Sequence, residues 1–507
     1  MPDDRGQAAL RLLQADDQEI RDAIHYCCLS LPCRFFPILG TLAASHRLTR
    51  WQARARQGEQ KQRMTKATLP ASDSGGWHRR VWVIAIPMML ANVTVPLLNA
   101  VDTGVMGHQG DAAYIGAVGL GSVIFSFVYW GFGFLRMGTG GFTAQAFGAN
   151  DRQEMRACFL RAALTALVIA AAVFLLQWPI LLLALAALEP SERVAELTTT
   201  YFQVRIWAAP ATLLTYVVTG WLLGVQRARG VMVVQLLLNG LNITLSLVFV
   251  LVFQWGIFGV ALATVVAEYA GVALGLWLVG RQARHLGGVW DLRGSLQRDK
   301  LLALFRVNRD IFIRTLCLEL AFLLFARQSA QLGDNVLAAN QILLRFLEFT
   351  AYGLDGFAYA AEALVGSAKG AGSPRDFNLA VRISTLWAGA LAVLLCLLYW
   401  ALGHEAISLL TDLPDVRTLA GAFLVYAALL PIISVWAFQL DGIFIGTTRT
   451  AEMRNAMLIS LAAYTPLAIW LTELWGNDGL WLALLTLMGV RALALLLHYP
   501  ALRRSIG

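Results

Sequence analysis

From Trp82 onward the chain is a succession of twelve long apolar runs separated by short polar connections: 82–107, 115–136, 158–186, 198–223, 231–253, 256–279, 307–332, 336–366, 379–401, 418–445, 456–474 and 479–498. As helices, runs of this length cross a hydrocarbon core of about 30 Å, and they are far too long for barrel strands. In lipid every backbone donor and acceptor must be satisfied within the protein, which only helices and closed barrels achieve. The runs therefore predict an all-α polytopic membrane protein with twelve transmembrane helices. Only 14% of the 507 residues are charged, against roughly 25% in ordinary soluble domains.

The formal net charge of +8 does not point to nucleic acid, because the basic residues form no stripe with interleaved aromatics. They lie in the connections after even-numbered runs: Arg152 and Arg156, Arg227 and Arg229, the 280–300 segment, Lys369 and Arg375, Arg449 and Arg454, and finally Arg503 and Arg504. Connections after odd-numbered runs carry essentially Arg193 and Arg417. By the positive-inside rule both termini and the 280–300 segment are expected to be cytoplasmic. Residues 1–76 fall outside the membrane pattern and read as an amino-terminal extension without a signal-peptide layout, with Met64 as an alternative natural start. Cys27, Cys28 and Cys33 lie near His25, but no second ligand pair with zinc-site spacing follows, so no metal site is expected.

The second half echoes the first. Gly110-Asp111 matches Gly333-Asp334 at a shift of 223; AQAFGAN from Ala144 matches GSAKGAG from Gly366 at 222; Pro210 matches Pro431 at 221; GWLLGVQR from Gly220 matches GIFIGTTR from Gly442 at 222. Four matches in order at a nearly constant offset indicate an internal repeat. Six helices per copy is an even number, so the copies enter the membrane from the same side, related by a pseudo-two-fold axis along its normal. The expected domains are an amino-terminal six-helix lobe (77–280), a cytoplasmic inter-lobe loop (281–306) and a carboxy-terminal six-helix lobe (307–507). Such an arrangement is that of an alternating-access carrier.

Polar residues inside the runs mark candidate sites. The first run holds Pro87 and Pro96, both possible bend points, and Asp102, which either faces a cavity or sits as a solvated helix end at the interface. In the fifth run Gln235, Asn239, Asn242 and Ser246 share one helical face, either as interhelical hydrogen-bonding groups or as a cavity wall. In the eighth, Glu348, Tyr352, Asp355, Tyr359 and Glu362 step by four and three. That stripe needs either a water-filled path or pairing with Arg314, Arg327 or Arg345. Glu268, Glu319 and Asp441 add further acids, and carboxylates beside aromatic rings suit organic cations. The chain has no HExxH, GxSxG or GxxxxGK[ST], so neither an intramembrane enzyme nor an ATP-driven pump is expected. With its repeat and bendable helices, a carrier is favoured over a channel.

The runs PLLNAVDTGVMGHQG, FLRMGTGGFTAQAFGA, GWLLGVQRAR, ALATVVAEY, YGLDGFAYAAEA and LDGIFIGTTRTAEMRNAM resemble the DNA-damage-inducible F (DinF) branch of the multidrug and toxic compound extrusion (MATE) transporters. The likeness covers about residues 80 to 500. It implies two six-helix lobes and export of organic, often cationic or amphipathic, compounds in exchange for protons, with no cofactor beyond the ion gradient. Asp102 matches the coupling aspartate of that family's VDT motif, and Pro87 its bending proline. The Asn-x-x-x-Asp pair that completes the amino-lobe site reads here Asn242 to Ser246, so the second acid is missing. Glu319 lies near the depth of a cation-ligating glutamate in the sodium-coupled branch; Asp441 is offset by roughly a turn from that branch's aspartate. The implied amino-lobe cavity is Gln235, Asn239, Asn242 and Ser246, and the carboxy-lobe cavity Glu319, Asp355, Tyr359, Glu362 and Asp441. Sodium coupling of the same fold is the first alternative. A lipid-linked flippase is the second, expected to have a cationic rather than acidic cavity. The expected setting is a bacterial inner membrane, with a monomer acting on a small organic substrate.

Overall fold

The structure, a computed structural model, describes residues 74–107 and 112–506. The amino-terminal extension, the alternative start at Met64 and the Gly110-Asp111 repeat match lie outside the described residues. Those described are helical almost throughout. Helix α1 runs Ser74–Gly107 and forms the first span. The second span is broken into α2 (Ala112–Gly131) and α3 (Phe134–Gly148), and the third into α4 (Arg152–Leu175) and α5 (Gln177–Leu188). The fourth comprises α6 (Glu192–Arg205), a 3-10 turn (Ile206–Ala208) and α7 (Ala209–Gly224). Helix α8 (Ala228–Leu247) ends in a π turn (Val248–Val252), and α9 (Gly256–Leu286) closes the amino lobe. After the short α10 (Leu292–Ser295) come α11 (Arg298–Gln331), α12 (Asp334–Gly370), α13 (Pro374–Leu410), α14 (Pro414–Gly446), α15 (Thr450–Trp475) and α16 (Asn477–Arg504).

Ten of these spans are long and apolar enough to cross a membrane by length and composition alone. Helices α11 and α12 are equally long, 34 and 37 residues, but carry the ionisable residues discussed below. Large apolar side chains such as Leu175, Trp178, Leu183, Leu397, Trp400 and Leu497 point outward, the arrangement of a protein solvated by lipid. Phe125, Tyr201, Phe202 and Trp221 fill the amino lobe, while Phe325, Tyr464 and Trp481 fill the carboxy lobe.

Two boundaries differ from expectation, and one span with internal prolines runs on unbroken. The second run is not one helix: the chain breaks at Phe132–Gly133 and continues to Gly148, because glycine-rich α3 packs against its neighbours where bulkier side chains would not fit. The inter-lobe loop is shorter than 281–306, since α9 extends to Leu286 and α11 begins at Arg298. The end of α9 and the loop are tied to α4: Arg156 donates to the Ala283 carbonyl of α9 (2.5 Å) and lies over the Trp290 ring, while Arg161 donates to the Ser295 carbonyl (3.2 Å). Finally, α1 stays helical through both Pro87 and Pro96.

The repeat appears directly in the packing. A Cβ added at Gly148 would lie 1.8 Å from the carbonyl oxygen of Ser367, and one at Gly370 would lie 1.9 Å from that of Gln145. Gly220 approaches the Arg136 carbonyl and Gly442 the Ala358 carbonyl, each at 2.3 Å from an added Cβ. Gly224 faces the backbone of Gly140, and Gly446 that of Glu362. Each pair maps onto the other at a shift of 222, so α3 and α12 cross near a pseudo-two-fold axis, each seated on its own lobe's glycine-lined helix, α7 or α14. Small residues let helices approach closely where no hydrophobic force drives association in lipid.

These close approaches lie toward the face that carries the connections after even-numbered spans, here the even face. On the opposite, odd face, α2 packs chiefly on α1 and α6 of its own lobe and only lightly on α11. The lobes thus meet most closely in the even half.

Candidate functional site

The fifth span builds the first part of the site. Its four-and-three spacing sets Asn239, Asn242 and Ser246 on one buried face of α8, which packs against α1 and α9. Ser246 Oγ donates to Asp102 Oδ1 (3.2 Å) and lies 3.1 Å from Asn242 Oδ1; Asn242 Nδ2 donates to Thr264 Oγ1 (3.2 Å); Asn239 Nδ2 donates to Thr94 Oγ1 (2.5 Å). Gln235 is half-buried on the same helix but outside this chain of bonds. The face is both things at once, interhelical glue and the wall around Asp102.

Asp102 is half-buried, and among the described residues its carboxylate meets a hydroxyl, with no ion pair at contact distance. The nearest cation is Arg205 on α6, which bonds Tyr201, stacks over Phe125 (4.9 Å) and lies within electrostatic reach of both Asp102 and Glu268. Glu268, one turn beyond Thr264 on α9, bonds Thr212. Asp102 and Glu268 thus share Arg205 as their neighbouring cation. Sequence reasoning noted Glu268 without placing it and passed over Arg205, whose lone position at a helix end gave no signal.

In the carboxy lobe the structure corrects the pairing expected for the α12 stripe. Glu348 is exposed and pairs with Arg345 one turn away (2.9 Å), outside any cavity. Arg327 is exposed. Arg314 serves Asp441 instead, together with Arg491 of α16, in a buried triad. Glu362 is paired by Arg136 of α3 in the other lobe (3.3 Å), and the Arg136 guanidinium lies 4.4 Å from the centre of the Tyr359 ring. Asp355 stands between the two groups, within electrostatic reach of Arg136, Arg314, Asp441 and Arg491. Glu319 does not join them: it is half-buried on α11, and its Oε1 is buried without a hydrogen-bond partner. Thus Asp355, Tyr359, Glu362 and Asp441 come together, Glu319 stays apart, and Arg136 and Arg491 are the residues that the sequence left unassigned. The acids do not make a uniformly acidic cavity, since buried arginines answer most of them.

Comparison with known proteins places this arrangement. The family description MatE matches residues 87–271 and again residues 311–472, once in each lobe. The chain is 39% identical over 429 residues to DNA damage-inducible protein F of Escherichia coli, covering 85% of this chain and 92% of that one. It is 23% identical over 446 residues to a probable multidrug resistance protein NorM of Idiomarina loihiensis, covering 82% and 93%. Among solved structures, an outward-facing multidrug resistance MATE transporter of the MOP superfamily superposes with a TM-score of 0.78 at 18% identity, covering 85% of this chain and 96% of the other. A MOP superfamily transporter of Pyrococcus furiosus, described by the reversed polarity of its binding pocket, superposes at 0.77 and 17% identity, covering 85% and 96%. With twelve spans in two repeated lobes and polar residues facing their interior, the chain belongs to the multidrug and toxic compound extrusion family, in its membrane-embedded, multi-pass form.

Proposed function

We propose that this protein is a secondary antiporter that exports organic compounds in exchange for protons taken up at Asp102, with no cofactor beyond the gradient. The observation that carries the reading is the setting of Asp102: a carboxylate at membrane depth, held by the Ser246 hydroxyl rather than by a contact cation. Such a group can lose and regain a proton without breaking an ion pair, and a hydroxyl bonds to either form. The balanced charges around Asp355, Glu362 and Asp441 favour amphipathic substrates, including those with cationic groups. In this reading the protein works as a monomer in a bacterial inner membrane, with the even face, and so both termini, in the cytoplasm.

The test is transport by purified protein in liposomes with imposed pH or sodium gradients. A pH gradient should drive efflux of a cationic dye, a sodium gradient should not, and Asp102→Asn should abolish the drive while leaving insertion and folding intact. Efflux at the wild-type rate in that variant would refute the assignment.

A further inference from the structure

At the Arg136–Glu362 pair this pseudo-symmetric crossing departs sharply from its own symmetry. At a shift of 222, Arg136 corresponds to Ala358 and Glu362 to Gly140. The symmetry-related positions are therefore occupied by two small residues, and close packing there needs no charge. A buried ion pair is weak evidence for a stabilising role, because desolvating both charges offsets their attraction. The pair is also sealed. The Glu362 side chain is 1% exposed and that of Arg136 13%, and a Cβ on Gly140 would lie 2.1 Å from Glu362 Oε1.

Alternating access, the reading proposed above, requires the lobes to part on the even face, which carries α3 away from α12 and Arg136 away from Glu362. Tyr359 and Asp355 on α12 and Tyr216 on α7 face the pair, and Asp355 in turn faces Asp441 on α14, Arg314 on α11 and Arg491 on α16. Arg314 and Arg491 are both bound to Asp441, so no second cation stands ready for Glu362 among the described residues. An ionised Glu362 would be left buried and unpaired.

We infer that the Arg136–Glu362 pair is an inter-lobe latch and that the even face opens only when Glu362 takes up a proton, which makes Glu362 a second proton-carrying residue of the transport cycle. A hydronium ion supplied from the odd side gives its proton to the Glu362 carboxylate and leaves water; the neutral carboxyl releases the Arg136 guanidinium, and the lobes separate. On the even side the O–H bond breaks, the proton leaves to water, and the carboxylate recaptures Arg136. Asp355 stands two turns from Glu362, between the two charge clusters.

The experiment is pulsed electron-spin distance measurement between labels at Gln153 on α4 and Arg375 on α13, both exposed at the even face, in a background lacking the six native cysteines. In the parent protein, and in Asp102→Asn, a longer distance should appear as the pH falls. Glu362→Gln should show the longer distance at every pH. Arg136→Gln, which breaks the latch from the other lobe, should do the same and serves if the first variant does not fold. A closed, pH-responsive even face in Glu362→Gln or Arg136→Gln overturns the proposal. Gradient-driven transport combined with that result would leave the antiport reading intact. Loss of the response in Glu362→Gln, with no proton-driven transport by the parent, would keep the latch and overturn the antiport reading.

Discussion

Asp441 shows how much a single residue's role depends on partners that sequence spacing does not reveal. It accepts hydrogen bonds from Arg314, 127 residues before it, and Arg491, 50 residues after it, and all three side chains are at most 10% exposed. In the sequence it is an isolated acid in an apolar run, as Arg491 is an isolated base. Removing its charge leaves two guanidinium groups facing each other in a dry site, and breaking a buried network by deleting one partner costs about 3–5 kcal/mol. Asp441→Asn should therefore lower the thermal unfolding midpoint in detergent markedly, and Asp441→Asn combined with Arg491→Met should recover part of the loss. An unchanged midpoint in the single variant would mean that water reaches the triad. Asp102 and Ser246, by contrast, were marked by the family resemblance, which set Asp102 at the coupling position and Ser246 where the second acid is missing; the hydrogen bond between them is given by the structure.

Among the elements, α1 ties the two lobes together. It packs on α8 in its own lobe and on α12 and α13 in the other, and Asn92 Nδ2 donates to the Tyr352 carbonyl (3.3 Å). Pro87 is buried beside this inter-lobe contact: the Ala85 carbonyl and Met89 side chain of the same turn fit against Gly356. A proline there removes the hydrogen bond to the carbonyl four residues back without interrupting the helix, which leaves a weak point to be used when the lobes move. Pro87→Ala restores that bond and should slow turnover several-fold in liposomes while leaving substrate affinity unchanged; equal turnover would mean that the proline is merely tolerated. The spans themselves were readable from apolar length. The break at Phe132–Gly133 was not, since the repeat-related residues Leu354 and Asp355 lie within an unbroken α12. Packing around α3, rather than local propensity, separates the two copies.

For the whole molecule, the glycine crossing of α3 and α12 governs whether the lobes can close on the even face. A valine at Gly148 or Gly370 would put its Cβ within 2 Å of a backbone carbonyl that has nowhere to move. Overpacking of this kind costs about 1–3 kcal/mol. Gly148→Val and Gly370→Val should each hold the even face apart, read as a longer Gln153–Arg375 label distance at every pH, and abolish net efflux. Since the two positions are related by the repeat, their effects should be alike, and a silent variant at either would break the symmetry argument. The sequence alone determined that this is a two-lobe helical membrane protein, because lipid forces each span to satisfy its own backbone and so writes the fold as apolar length, repeat and charged connection. Asp102 was singled out by its likeness to the VDT motif, and the hydroxyl that holds it, that of Ser246, by the structure. Only the tertiary structure decided which charges meet. Ion pairs such as Arg136 with Glu362 join residues 226 positions apart in different lobes, and their geometry is set by how closely the glycine-lined helices approach.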